Sequence, residues 1–128
     1  QILAEQTDQP DYPHRWTRVY ANETVHLSKY PAMVKVKLQA IRIGPIVIAA
    51  APCEIFAETG LAIKKASQHS HTFTIELANG YGGYLPTPEQ HELGGYETWP
   101  ARSSFLDVDA EPKIRAELLR LLGTVMVQ

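Results

Sequence analysis

The chain has 128 residues, 45% of them hydrophobic and 20% charged, with a formal net charge of −2 at pH 7. This length suits one globular unit, residues 1–128, with a core that needs neither metal nor disulfide, and the composition argues against disorder. The weak charge and the absence of a Lys/Arg cluster argue against nucleic-acid binding. The longest apolar run, 43–53, is too short for a transmembrane segment.

Residues 1–32 are predicted to be an irregular lead-in segment that lies over the core. Prolines interrupt it at positions 10, 13 and 31, and at most a short strand near 17–20 is expected. The chain begins with Gln1 rather than Met. A processed product, a fragment or a trimmed form of a larger catalytic domain would each account for this start.

A mixed sheet in an α/β fold, with α+β as the alternative, is predicted from residue 33 onward. Polar and apolar residues alternate over 33–43, a turn follows at Gly44-Pro45, and 46–51 is wholly apolar. This pattern predicts a hairpin, 33–51, whose second strand is buried on both faces. A helix beginning around 53–55 and an alternating strand over 72–78 complete a strand–helix–strand unit, 46–78, with parallel strands.

Glycine, proline and tyrosine crowd the segment 79–99, which follows the second strand of that unit directly. Such a composition predicts a shaped loop rather than a helix or strand. A closing amphipathic helix is predicted over 111–122, with a terminal strand over 124–127 as an option.

Glu54 and the loop are expected at the same edge of the sheet, because each follows a strand of the parallel unit. Position alone gives two equal alternatives for Glu54. It is either a charge at a helix N-terminus, or a functional group that serves as a metal ligand or general base. A loop tyrosine such as Tyr84 is more often a packing residue, but a nearby divalent metal could accept its oxygen.

The histidines and the single cysteine carry weaker signals. The spacing of His69 and His71 could offer two imidazoles, yet solvated turn residues are the expected reading. His91 lies inside the loop and is the better candidate for substrate contact. Cys53 precedes a predicted helix start, where a thiol pKa can fall, but an inert packing role is favoured.

Three runs together resemble the neutral/alkaline ceramidase family, specifically the C-terminal part of its catalytic domain. They are Ala51-Pro52-Cys53-Glu54-Ile55-Phe56, Asn79-Gly80-Tyr81-Gly82-Gly83-Tyr84-Leu85-Pro86-Thr87 and Gly94-Gly95-Tyr96-Glu97. The similarity covers roughly 34–122 and keeps the motifs in order. Cys53 departs from the pattern, since it stands where ceramidases usually have glycine.

The resemblance implies a zinc-dependent amidase that cleaves N-acyl bonds of ceramide or of another amide. It assigns Glu54 and Tyr84 as zinc ligands, while Tyr81, His91 and Tyr96 are expected to contact substrate. The family's two zinc histidines and its nucleophilic serine lie in upstream segments that have no counterpart here. No catalytic residue is therefore expected in this chain, and the chain alone is expected to be inactive.

The implied partners are a small-molecule or lipid amide and the upstream part of the same catalytic domain. The family resemblance points to a secreted or cell-envelope location. The alternative function is a non-catalytic binding or assembly module that uses the aromatic loop 79–99 as its recognition surface.

Overall fold

The computed structural model describes residues 14–125, with side chains from Trp16 onward. Four helices and five strands make up this part of the chain. In order they are α1 (His14–Leu27), β1 (Gln39–Ile43), β2 (Ile46–Ala50), β3 (Glu54–Ile55), α2 (Ala57–Ala66), β4 (His71–Ile75), β5 (Tyr84–Leu85), α3 (Pro88–Leu93) and α4 (Ala110–Thr124), with a 3₁₀ turn at Tyr96–Thr98 before α4.

The larger sheet has three strands in the order β1-β2-β4. β1 and β2 form an antiparallel hairpin, and β2 pairs with β4 in parallel, with Ile48 opposite both Ile41 and Phe73. The predicted mixed sheet and the parallel strand–helix–strand unit are therefore confirmed. The second sheet consists of β3 and β5 alone, which also run parallel.

The core lies between one face of the larger sheet and the helices α2 and α4. Val47, Ile63 and Leu118 are fully buried there, one each from β2, α2 and α4. Removing these aliphatic side chains from water is the main stabilising contribution, about 1.5–3 kcal/mol for each. The apolar face of α4, which the spacing of its aliphatic residues predicted, therefore packs into the core.

A buried carboxylate links the two core helices. Glu111, at the start of α4, is only 1% exposed. Its Oε1 accepts hydrogen bonds at 2.8 Å from the Thr59 hydroxyl of α2 and from Nε of Arg115 one turn along. A buried charge is tolerated only when it is paired and hydrogen-bonded in this way.

The predicted irregular segment 1–32 is wrong over its second half, because residues 14–27 form helix α1. Pro31 lies beyond the end of α1 and does not interrupt it. Along one side of α1, the Tyr20 ring packs edge-on against Trp99 at 4.8 Å, and Glu23 bonds Arg102. The strand considered near 17–20 is absent, and residues 1–13 lie outside the described part of the chain.

Several predicted boundaries also shift. The helix expected at 53–55 begins at Ala57, because Glu54–Ile55 pairs with β5 as a strand. The first hairpin strand begins at Gln39 rather than 33, and the strand expected over 72–78 ends at Ile75, just before the positive φ angles of Leu77 and Asn79.

The closing helix is longer than predicted at both ends, spanning Ala110–Thr124 rather than 111–122. Thr124 belongs to this helix and not to a terminal strand. Val125 is the C-cap residue of the helix, and residues 126–127 of the optional strand lie outside the described residues.

The Glu23–Arg102 ion pair should make the free energy of unfolding depend on pH in the acid range. Both guanidinium contacts, at 2.9 and 2.7 Å, lower the pKa of Glu23 from its ordinary value of 4.5 to about 2. A carboxyl with a depressed folded-state pKa contributes stability above its unfolded pKa and loses it as pH falls towards the folded value. The advantage of the native chain over Glu23→Gln should therefore be complete above pH 4.5 and vanish towards pH 2.

Urea unfolding of both proteins at a series of pH values measures this difference. Glu58→Gln, which removes one exposed carboxyl group from α2, is the matched control. If the free energies of unfolding of the native chain and Glu23→Gln differ by a constant amount from pH 7 to pH 2, the ion pair is contradicted.

Candidate functional site

Four of the predicted site residues converge at one end of the small β3–β5 sheet. Glu54 and Tyr84 are direct partners in the parallel register. The Tyr81 hydroxyl donates to Oε1 of Glu54 at 3.2 Å, and the hydroxyls of Tyr84 and Tyr96 lie 3.4 Å apart. We call Glu54, Tyr81, Tyr84 and Tyr96 the tyrosine–glutamate cluster. The sequence-based expectation that Glu54 and the loop share one edge is thus confirmed.

Backbone hydrogen bonds fix both sides of the cluster. The Glu54 amide donates to the carbonyl of Gly83 at 2.9 Å, and the Tyr84 amide donates to the carbonyl of Ser103 at 2.8 Å. The Ile55 amide donates to the Glu76 carboxylate at 3.0 Å, which ties β3 to the end of β4. The two residues are therefore held by main-chain contacts that do not depend on their own side chains.

Two glycines allow the loop to approach the strand closely. A Cβ at Gly82 would lie 2.8 Å from Sγ of Cys53, and one at Gly83 would lie 2.6 Å from the Ser103 carbonyl oxygen. Gly83 also has a φ of +74°, which side-chain-bearing residues rarely adopt. The Gly82-Gly83 pair thus brings the loop against β3 and sets the position of Tyr84.

The electrostatics of the cluster favour neutral phenols. The hydrogen bond to Tyr96, burial and the charge of Glu54, in that order, raise the pKa of Tyr84. Burial, followed by the charge of Glu54, raises the pKa of Tyr81. The phenols of Tyr81 and Tyr84 therefore keep their protons at pH 7. Binding a cation at Tyr84 would require loss of its proton.

The ring geometry orients Tyr84 further. The Tyr84 and Tyr96 rings pack edge to face, with centroids 5.5 Å apart and planes at 86°. Such aromatic pairs contribute about 0.5–1.5 kcal/mol beyond the area they bury. Tyr96 stands in the 3₁₀ turn, so this contact links the end of the loop to its beginning.

His91, the fifth predicted site residue, lies on α3 with the ring half-buried. Its Nε2 is shielded from solvent and has no hydrogen-bond partner among the described residues. A buried polar atom without a partner is unusual in a folded protein. No contact of His91 with the tyrosine–glutamate cluster is found, so its predicted role in substrate contact stays a prediction.

Sequence reasoning missed the part played by α1 near the cluster. A pocket of about 420 Å³ lies between α1 and the loop, and Tyr81 forms part of its wall. Val19, Tyr20 and Glu23 of α1 line its other side, opposite Ala101 and Arg102. The spacing of Trp16, Tyr20, Glu23 and Leu27 along a helix was the signal that could have revealed this.

The remaining sequence candidates are structural. Cys53 is fully buried, and burial raises its pKa to about 11, so its thiol is inert at neutral pH. Nε2 of His69 lies 3.1 Å from the carbonyl of Leu122 near the end of α4, which suits a helix-terminal contact. His71 is exposed at the start of β4.

The donor set of the cluster fits part of a zinc site. A carboxylate and a phenol oxygen are hard donors, and zinc accepts carboxylate oxygen alongside histidine nitrogen. Among the described residues, no group of three or more His, Cys, Asp or Glu side chains is placed to hold a metal. Glu54 and Tyr84 can thus supply two ligands, and further ligands would have to come from elsewhere.

Alanine at Gly83 should disrupt the cluster, whereas alanine at Gly44 or Gly123 should not. Gly83→Ala combines an unfavourable φ with a clash against the Ser103 carbonyl and should destabilise the fold by about 2–4 kcal/mol. Gly44→Ala, with φ +59° and open space around it, should lower the free energy of unfolding by about 1–2 kcal/mol. Gly123→Ala, in α4 with nothing nearby, should raise the free energy of unfolding by up to about 1 kcal/mol. Urea unfolding of the three variants checks this order, and equal losses at Gly83 and Gly44 would contradict the close approach.

Removing the charge at Glu54 should ease ionisation of the neighbouring tyrosines. Glu54→Gln should lower the pKa of Tyr81 and Tyr84 towards the ordinary value of 10, because the repulsion of the tyrosinate is lost. Spectrophotometric titration of tyrosinate absorbance measures the shift, with Glu58→Gln as the matched control. Titration curves that coincide for the native chain and Glu54→Gln would show that the cluster does not form in solution.

Comparison with protein-family models, curated proteins and solved structures gives no match for this chain. Within the described residues, no helix is long and apolar enough to cross a bilayer.

Proposed function

We propose that this chain supplies half of the metal centre of a zinc-dependent amide hydrolase that resembles the neutral ceramidases. The observation that carries the proposal is the direct pairing of Glu54 with Tyr84 across β3 and β5. These are the two positions that the resemblance to the ceramidase family implies as zinc ligands. They lie far apart in the sequence, and in the structure they are neighbours.

In this proposal Glu54 and Tyr84 hold the metal from the edge of the small sheet. A zinc ion held there would supply Lewis acidity to polarise the amide carbonyl and to help activate the nucleophile. Tyr81 orients the Glu54 carboxylate through its 3.2 Å hydrogen bond, and Tyr96 orients the Tyr84 hydroxyl. Such outer hydrogen bonds commonly hold metal ligands in position.

The proposed substrate class is an N-acyl amide, a ceramide-type lipid or another amide. Tyr81 and Tyr96 are 57% and 56% exposed, so their rings are available to a substrate beside the metal ligands. The 420 Å³ pocket next to Tyr81 offers room for part of such a molecule. The remaining ligands and the nucleophile would come from the upstream part of the same catalytic domain.

Ligand removal in the complete enzyme tests the proposal. Glu54→Gln and Tyr84→Phe should each lower zinc affinity by about 100-fold or more and abolish most amide hydrolysis, because each removes one donor. Metal analysis and hydrolysis of an N-acyl amide are the measurements. Glu58→Gln and Tyr30→Phe are the matched controls, since both side chains lie outside the cluster, and they should keep full zinc content.

The chain alone should bind zinc weakly and hydrolyse no amide, because two ligands do not complete a site. Isothermal titration with zinc measures this directly. One-to-one binding at micromolar affinity or tighter would contradict the half-site, as would unchanged zinc content in both ligand variants of the complete enzyme.

A non-catalytic binding or assembly module is the second candidate. Tyr81, Tyr96 and Trp99 of the loop, together with Trp16 of α1, are 42–57% exposed. Exposed aromatic side chains of this kind commonly anchor protein interfaces. Amide hydrolysis by the complete protein that depends on Glu54 would count against this reading.

A further inference from the structure

A second cavity of about 420 Å³ lies where α2 packs against β3 and the end of β4. Cavities of this size are typical of small-molecule sites in proteins. None of the four residues of the tyrosine–glutamate cluster lines it. We call it the α2–β4 cavity; its chemically relevant lining residues are Ile55, Phe56, Leu61, Lys64, Thr74 and Glu76.

Gly60 brings α2 close to β4 beside this cavity. It is buried in the interior of α2, where glycine is less favourable than alanine. A Cβ at this position would lie 3.3 Å from Oγ1 of Thr74, which is closer than most Cβ contacts. The missing side chain therefore leaves the Thr74 hydroxyl at the wall of the cavity and not against a methyl group.

Three polar side chains of the cavity wall have hydrogen-bonding capacity to spare. Lys64 forms no ion pair with any described residue, and the Thr74 hydroxyl forms no hydrogen bond with one. Glu76 accepts from the Ile55 amide through Oε2 at 3.0 Å, so its Oε1 remains open. One basic and one acidic side chain thus line the same small space without pairing with each other.

The rest of the wall is apolar. Ile55 and Phe56 are partly buried, and Leu61 is exposed on the face of α2 that carries Lys64 three residues later. Small-molecule sites commonly combine such an apolar wall with a few polar groups that fix the orientation of the ligand. The α2–β4 cavity has both parts.

The two formal charges decide which class of ligand fits. A simple anion would be attracted by Lys64 but repelled by Glu76, and a simple cation would meet the reverse. A metal ion is disfavoured, because one carboxyl group and one hydroxyl are too few ligands to hold it. A molecule with both an ammonium and a carboxylate on an apolar body can place each group beside its opposite.

We propose that the α2–β4 cavity binds a free amino acid with an apolar side chain. Lys64 pairs with the ligand's carboxylate, the Thr74 hydroxyl donates to that carboxylate, and Glu76 accepts from the ligand's ammonium group. The ligand's side chain lies against the apolar wall. The site does not use the tyrosine–glutamate cluster, so this proposal succeeds or fails independently of the proposed function.

Titration of the chain with L-leucine, followed by amide chemical shifts, tests the proposal. Leucine should shift the amide signals of 55–64 and 74–76 with a Kd of about 1 mM, since ion pairs near the surface are individually weak. Leucinamide lacks the carboxylate and 4-methylpentanoate lacks the ammonium group, so each should bind about fivefold more weakly.

Two variants assign the charges. Lys64→Met should weaken leucine binding about fivefold and leave leucinamide unchanged, because leucinamide has no carboxylate to pair. Glu76→Gln should weaken leucine and leave 4-methylpentanoate unchanged, while its amide oxygen can still accept from the Ile55 amide. Lys65→Met and Glu58→Gln change exposed side chains of α2 outside the cavity, so they are the matched controls and should keep the native Kd.

Three outcomes would overturn the proposal. The first is no saturable shift of these amides at about ten times the expected Kd. The second is equal binding of leucine and its two analogues, which would show an apolar pocket without charge recognition. The third is an equal loss in Lys64→Met and Lys65→Met, which would show only a general charge effect. Lys64 is exposed, so its replacement leaves the fold intact, and this comparison decides the matter even if Glu76→Gln does not fold.

Discussion

The short parallel pairing of β3 with β5 is the constraint on which the candidate site depends. It joins two segments about thirty residues apart and places Glu54 directly beside Tyr84. The pairing is possible only because Gly82 and Gly83 let the loop backbone reach Cys53 and Ser103 without a clash. The larger sheet fixes the start of β3, and the glycines bring the loop to it. Main-chain hydrogen bonds thus position the cluster without using the side chains of Glu54 and Tyr84.

The cluster brings together one carboxyl group and three phenol side chains. Among the described residues, no group of three or more His, Cys, Asp or Glu side chains is placed to hold a metal. The central strand β2 is apolar on both faces. On the side away from α2 and α4, Ile48 and Ala50 are buried, and Ile41 and Phe73 lie on either side of Ile48.

Much of the fold followed from residue pattern. Alternation over 33–43, the apolar run of β2 and the amphipathic spacing of α4 each predicted the right kind of element, since burial of one face requires that periodicity. The boundaries were less predictable. Cys53–Ile55 was expected to open a helix, and it forms a strand because a partner thirty residues away supplies the hydrogen bonds. α1 was missed because the prolines in residues 1–32 suggested irregular chain. The contacts of this helix, Tyr20 with Trp99 and Glu23 with Arg102, are visible only in the tertiary structure.

By itself, the sequence determined the residue types of the site and their order: a carboxylate after a buried strand and tyrosines in a glycine-rich loop. It also indicated that both lie at one sheet edge, because parallel strands end on the same side. Only the tertiary structure decided which tyrosines meet the carboxylate, that Tyr96 contacts Tyr84, and that α1 lines a pocket beside them. Those contacts join residues 12 or more positions apart, and local periodicity carries no information about contacts over such sequence separations.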